Sequence, residues 1–244
     1  MAKRESSIPV ATLVERMIND IHTGAIIDEK NKLPTEPELM ERYAVTRYTL
    51  RQALSRLSVL GYIYQAHGIG TFGRPRQDDN YVSVQNAVGL STEMARQGKQ
   101  LTTTDYSIDE VTAADAAFTP SAGKIDPATR LWEIKRYRML DGKPYTFEHS
   151  YYLRDIVGDV PESALKGSLF AFVAENKTLT LGFQDKVMEA APLAKENAWF
   201  FDLAAGAPML IMNDDSYLSS GQLFAFSKLS YDYRMGKFFM FTRL

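Results

Sequence analysis

Residues 46–73, TRYTLRQALSRLSVLGYIYQAHGIGTFG, set three arginines and several hydroxyls just ahead of a glycine-rich stretch. Both features suit an anionic partner: an arginine can fork onto phosphate or onto the edge of guanine, and hydroxyls can hold phosphate oxygens. The last six residues, Gly68-Ile-Gly-Thr-Phe-Gly73, also spell G-x-G-x-x-G. A dinucleotide site needs those glycines between a strand and a helix whose N-terminus meets the pyrophosphate. Here Arg74-Pro75-Arg76 and a polar stretch follow, which cannot supply that helix. The motif is a coincidence within a hairpin.

A second constellation lies further on. In residues 131–139 the period of two puts Trp132, Ile134, Arg136 and Arg138 on one strand face. Arginines that continue an apolar face are costly to bury without an anion. One reading is a pocket that binds a carboxylate or phosphate through bidentate arginine. The other is an edge strand whose arginines reach solvent or pair with local acids, and alternation alone allows both.

Other chemistries are poorly supported. The chain has no cysteine, which excludes disulfides and thiolates and fits a reducing compartment. Its three histidines, His22, His67 and His149, are scattered without metal-ligand spacing, and His149 reads as a hairpin residue rather than a base. No nucleophile motif occurs. No catalytic residues, metal or cofactor are expected.

Around these residues, 244 positions suffice for two domains, and 45% hydrophobic with 24% charged residues is ordinary globular composition. The start lacks a continuous apolar h-region, and no apolar run approaches the ~20 residues of a membrane helix. The expectation is a soluble, cytoplasmic protein. Net charge is −2 but unevenly spread: residues 1–76 carry 11 Lys/Arg against 8 Asp/Glu, and the remainder 17 against 22. A mildly basic head precedes an acidic body.

The head reads as three helices and a hairpin. Val10–His22 has helical apolar spacing with Gly24 as a stop; Thr35 and Glu38 form a capping box with Pro37 in the first turn of a helix reaching about Arg42. Thr46 caps a third helix running to Leu60 and closed by Gly61. At 100° per residue, Leu50, Ala53, Leu54, Leu57 and Leu60 share one arc. Arg47, Arg51, Ser55 and Ser58 share the next, with Tyr48, Gln52 and Arg56 further round. Tyr62–Gln65 and Thr71–Phe72 read as short strands. This is the order of a winged helix-turn-helix. Residues 74–80 read as a linker. Beyond it come strands at 130–139 and 145–152 flanking the turn Asp141-Gly142, at Val187–Ala191, Met209–Met212 and Leu223–Tyr233, with short helices at Ser91–Gln97, Ser168–Ala174 and Ala194–Leu203. The fold class is therefore α+β in two domains, residues 1–73 and 81–244, the second an antiparallel sheet with helices packed on it.

The segment LPTEPELMERYAVTRYTLRQALSRLSVLGYIYQAHGIGTF resembles the DNA-binding domain of the GntR family of bacterial transcriptional regulators, over about residues 8–73. The resemblance implies operator contacts from Arg47 and Arg51, with Thr46, Tyr48, Thr49 and Thr35 beside them, and wing contacts from His67, Gly68 and Gly70. Pro37 stands where family members usually have arginine. From about residue 80 the chain resembles, more loosely, the ligand-sensing UTRA domain of HutC-type members, whose fold is chorismate-lyase-like. Its best segments are Arg136-Tyr-Arg138 through Asp141-Gly-Lys-Pro144 to Glu148-His-Ser-Tyr-Tyr, then Gly167-Ser-Leu-Phe170 and Ala205-Gly-Ala-Pro208. That resemblance implies an effector pocket lined by Arg136, Arg138, Glu148 and Ser168, with Phe170 and Tyr231. A simple two-residue turn at Asp141-Gly142 would pair Arg138 with Tyr145 and point Glu148 to the opposite face; a longer turn or a bulge would bring Glu148 to the arginines. Ala225 stands where related regulators commonly have an acid, and Asp232-Tyr-Arg-Met-Gly236 replaces an R-G-D-R-like stretch, changes that make the site more apolar.

The expected protein is a transcriptional repressor that binds palindromic double-stranded operator DNA as a homodimer and responds to a small-molecule effector, one with an anionic group if the arginines face a pocket. The rivals are a lyase-like enzyme and a ligand-binding module, either carrying a vestigial DNA-binding head.

Overall fold

In the computed structural model, which describes residues 8–74, 81–84 and 89–242, the chain divides into two compact units. The first comprises residues 8–74 together with 240–242; the second runs from 81 to 239. The expected boundary at 81–244 is thus corrected at its far end. Phe241 belongs to the first unit, its ring close to Gly61 and beneath the Arg74 guanidinium at 4.8 Å. The expected linker, apart from Arg74, lies outside the described residues.

In the first unit, α1 (Val10–His22) buries Leu13, Val14, Met17, Ile18 and Ile21, the apolar stripe of a 3.6-residue period. Helix α2 (Glu36–Tyr43) ends at Ala44, whose left-handed backbone (φ 51°) turns the chain sharply into α3 (Arg47–Val59). Tyr43 donates its phenolic hydrogen to Asp20 Oδ2 at 2.7 Å, which ties α2 to α1. Leu50, Ala53, Leu54 and Leu57 of α3 face this core, and each fully buried leucine contributes roughly 1.5–3 kcal/mol. Gly61 has φ 74°, as a helix-ending glycine requires.

Strands β1 (Ile63–Ala66) and β2 (Gly70–Gly73) form the antiparallel wing, joined across His67, Gly68 and Ile69. Two of the three glycines in the G-x-G-x-x-G string have distinct local jobs. Gly68 takes φ 73° at the tip, and Gly73 lies where a β-carbon would come within 2.8 Å of Ile27 Cγ2 and 3.3 Å of Ile21 Cγ2. Turn geometry and close packing explain them.

The second unit is a six-stranded antiparallel sheet of order β4-β5-β6-β9-β8-β7: β4 (Leu101–Thr112), β5 (Arg130–Leu140), β6 (Lys143–Leu153), β7 (Leu181–Pro192), β8 (Pro208–Leu218) and β9 (Leu223–Asp232). A parallel bridge pairs β3 (Val82–Ser83) with β10 (Phe238–Phe239). Helices α4 (Leu90–Arg96), α5 (Arg154–Val157), α6 (Glu162–Lys166) and α7 (Leu169–Glu175) connect or cover the strands. A 3-10 turn at Lys195–Asn197 runs into α8 (Ala198–Phe201) in place of one helix over 194–203. Side chains pack on both sheet faces. Ile134 of β5 joins Leu165, Leu169 and Phe224 on one side, while Leu131 joins Tyr151 and Phe226 on the other.

Two further expectations change. Strand β4 was not anticipated: its LTTTDYSIDEVT carries three acids and little apolar alternation, as suits a solvated edge. Strand β8 continues through Asn213-Asp214-Asp215 because both aspartates have internal partners: Lys186 Nζ meets Asp214 Oδ2 at 2.9 Å, and Asp215 Oδ2 accepts the Ala122 amide at 2.8 Å.

Gly73→Ala is expected to destabilise the first unit by about 1–3 kcal/mol through overpacking, while Gly68→Ala meets no atom and costs only backbone strain of about 1 kcal/mol. Hydrogen exchange at the α3 amides measures this locally; equal protection in Gly73→Ala and the parent would contradict it.

Candidate functional site

Two surfaces gather the chemistry singled out in the sequence. On the first unit, the outward arc of α3 presents Arg47, Tyr48 (74% exposed) and Arg51. Arg51 Nε lies 3.3 Å from Glu36 Oε2, an exposed pair that contributes little stability and can open to another anion. Thr46 accepts the Thr49 amide at 3.2 Å as the helix cap. Thr49 differs from expectation. It is buried, and its hydroxyl lies 3.0 Å from that of Thr46, so it braces the cap from inside rather than standing beside the arginines. Thr35 is exposed, and both its hydroxyl and its amide donate to Glu38 Oε2 at 2.7 Å. Those hydrogen bonds hold the Glu38 carboxyl below its usual range. Pro37 occupies the first turn of α2, where a missing N–H is harmless. His67 and Gly68 are exposed at the wing tip; Gly70 is partly covered, and a β-carbon there would meet the Lys32 side chain.

The second surface is internal. Asp141 and Gly142 both have positive φ (49° and 76°), the two-residue turn that matches strand twist. Leu140 pairs with Lys143 and Met139 with Pro144, but Arg138 pairs with Thr146. Tyr145 is therefore an extra residue, a β-bulge. From there Arg136 pairs with Glu148, which places Glu148 on the arginine face. Strand β5 is interior to the sheet, and both arginines are 3% exposed, so the solvated edge-strand reading is excluded.

The two arginines do different work. Arg136 donates from Nε and Nη2 to Glu148 Oε2 at 3.2 and 2.6 Å, and from Nη1 to the carbonyls of Ala164, Leu165 and Gly167 at 3.4, 3.2 and 3.1 Å. It satisfies carbonyls left open at the end of α6 and fastens that helix to the sheet. Arg138 donates from Nη2 to Ser91 Oγ at 2.7 Å, lies 3.8 Å from Glu148 Oε2, and leaves its buried Nε without a partner. Burial and the neighbouring Arg136 pull its pKa down to about 10, so it stays charged at neutral pH. Burial opposes ionisation of Glu148, yet the two guanidiniums and the Ser150 hydroxyl outweigh it and hold its pKa below the usual value.

All six expected effector residues, Arg136, Arg138, Glu148, Ser168, Phe170 and Tyr231, line one cavity, about 750 Å3 of open space with its mouth and the adjoining solvent included. Ser168 also caps α7, accepting the Ala171 amide at 3.1 Å. Burial keeps the Tyr231 phenol protonated. Residues not singled out from the sequence complete the wall: Ser83, Ser91, Glu93, Lys186, Asp214 and Ser227. Asp214 was obscured because Asn213-Asp214-Asp215 reads as a strand end, and Ser227 stands between Ala225 and Leu229 on its strand face. The wall thus carries polar groups beyond those six within a lining that is mostly apolar. Ala225 is buried in the adjoining apolar cluster, outside the cavity. His149, on the other sheet face, sits 2.8 Å from Glu133 Oε1.

Comparison with known proteins matches both units. Residues 9–72 match the family described as bacterial regulatory proteins, gntR family, and residues 96–234 match the UTRA domain. The chain is 28% identical over 234 residues to the HTH-type transcriptional regulator YydK of Bacillus subtilis, covering 94% of each. It is 25% identical over 232 residues to the HTH-type transcriptional repressor NagR of the same organism, covering 93% of this chain and 92% of NagR. The solved structure of YydK superposes with a TM-score of 0.79 at 27% identity, over 96% of this chain and 99% of that one. PhnF from Mycobacterium smegmatis shares the fold at a TM-score of 0.54 and 18% identity, covering 97% and 99%. No helix among the described residues is long and apolar enough to cross a membrane.

Glu148→Ala is expected to cost about 3–5 kcal/mol, because it leaves the Arg136 charge buried and unpaired. Because the folded-state pKa of Glu148 is depressed, its contribution is present above the ordinary carboxylate value and is lost as pH falls through the lower folded value. Glu148→Gln should flatten that acid limb. Urea unfolding followed by the two tryptophans, Trp132 and Trp199 of the sheet unit, reports both, and an unchanged midpoint in Glu148→Ala would contradict the pairing.

Proposed function

The chain belongs to the GntR family of bacterial regulatory proteins and carries a UTRA domain, and from that premise we propose that it is a cytoplasmic repressor, acting as a homodimer, whose effector presents an anionic group to Arg138. It is a DNA-binding transcriptional regulator and not an enzyme, so the lyase reading falls away. The observation that carries the effector reading is the buried Arg138 Nε, an unsatisfied donor on a residue that lines the cavity. An unpaired buried donor costs about 1–3 kcal/mol, and a bound acceptor removes that penalty.

Arg47, Tyr48 and Arg51 are assigned to the major groove, with Thr46 and Thr35 at phosphates and His67, Gly68 and Gly70 at the wing. One such head reads few base pairs, so two heads on a two-fold axis would read half-sites about 34 Å apart. The repressor assignment draws on NagR, which is named a repressor. An effector that binds one head arrangement better than another shifts operator affinity by its differential affinity for the two, and no more.

Arg51→Ala should weaken binding to a duplex selected from a random pool by about 1–3 kcal/mol, some five- to 150-fold, without unfolding α3. Fluorescence anisotropy measures it, and parental affinity would remove Arg51 from the interface. Arg138→Met, nearly matched in length, should keep operator binding and lose its response to the small-molecule fraction of the source cells. A variant that still responds fully would place the effector elsewhere.

A further inference from the structure

Four buried side-chain polar atoms among the described residues have no hydrogen-bond partner: Ser83 Oγ, Thr103 Oγ1, Arg138 Nε and Asp214 Oδ1. The residues that carry three of the four line the same cavity. Unsatisfied buried groups are rare and call for a reason, and their convergence on one space points to a ligand that satisfies them together.

Asp214 is the informative member. It lies on β8 and is 8% exposed. Lys186 of β7 donates to Oδ2 at 2.9 Å and has the Met212 sulfur at 4.0 Å. One carboxylate oxygen is thereby fixed, and the other remains a bare acceptor. Lys186 already supplies the cationic complement, so a ligand ammonium at Oδ1 would add a second cation beside it. A hydroxyl adds no charge and donates the hydrogen bond that is missing.

We propose that Asp214, oriented by Lys186, is a specificity-determining residue of the effector cavity, accepting a hydrogen bond from a hydroxyl of a ligand whose anionic group lies at Arg138. This rests on the effector reading of Arg138 given above. The sheet order sets the ligand's extent. Strands β6 and β9 separate β5 from β8, about 14 Å between strand axes, which the side chains of Arg138 and Asp214 shorten by several ångströms. An extended chain of about six carbons fits that span. The selecting group is an acid that accepts, so the cavity discriminates by the far end of the ligand and not by its charge.

Four probes that share a phosphate test this by calorimetry on the full chain: inorganic phosphate, hexyl phosphate, 6-aminohexyl phosphate and sorbitol 6-phosphate. Sorbitol 6-phosphate is expected to bind at least about tenfold more tightly than the hexyl and aminohexyl compounds. The double substitution Lys186→Met with Asp214→Leu replaces the ion pair by apolar side chains and should abolish that preference, so that the three organic phosphates bind alike; near-UV circular dichroism reports that the domain stays folded. Asp214→Asn retains an oxygen acceptor and should keep part of the preference. Equal binding of the sorbitol and hexyl compounds by the parent, tighter binding of the aminohexyl compound, or a preference that survives the double substitution would each overturn the role of Asp214 alone. Failure of all four probes, inorganic phosphate included, would instead overturn the anion site at Arg138, and this inference with it.

Discussion

One extra residue in β6 organises the sensing domain. Were the Asp141-Gly142 hairpin regular, Arg138 would oppose Tyr145 and Glu148 would point to the far face, leaving two guanidiniums buried without an anion. The bulge at Tyr145 shifts the ladder so that Glu148 stands opposite Arg136 and 2.6 Å from its Nη2. Burial of both groups is tolerable only because each is paired and further hydrogen-bonded. The cavity floor, the attachment of α6 and the burial of β5 depend on that register.

The same pairing divides labour between two arginines that look equivalent in the sequence. Arg136 has donors on Glu148 and on three carbonyls, which fixes a helix end to the sheet. Arg138 shares the remaining field of Glu148 at longer range and keeps a donor in reserve. A rigid, largely satisfied neighbour is what allows a partly unsatisfied charge to persist in the interior: the strain of one site is carried by the connectivity around it. The outward arginines of α3 are in the opposite situation. Among the described residues the acid set against this arc is Glu36, paired with Arg51; the pair is exposed and weakly held, so a polyanion can displace it.

Local chemistry was the legible part of the sequence. The bounds of α1, the caps at Thr35 and Thr46, the glycine stops and the positive-φ turn at Asp141-Gly142 followed from residues within four positions of one another. The resemblance to known regulators added which residues meet in the cavity. Long-range satisfaction was the part that stayed hidden. Asp214 and Asp215 sit inside a strand because partners 28 and 93 residues away hold them. The bulge did leave a trace. Pro144 cannot donate to the ladder, and proline near a strand start is found at bulges and edges; pairing of β6 with β9 begins only at Thr146. Thr49 shows the reverse error, a hydroxyl whose type suggested contact with a partner but whose position on the helix turned it inward.

The central claim is that Arg136 is held by the fold and Arg138 is reserved for a ligand. The direct measurement is NMR of the two arginine Nε–H groups in the full chain, assigned with Arg138→Lys, while inorganic phosphate is added. The account predicts that the Arg138 signal moves as its donor acquires an acceptor and that the Arg136 signal, already bonded to Glu148, stays in place. Movement of Arg136 with Arg138 unmoved, or no movement of either at saturating phosphate, would contradict it.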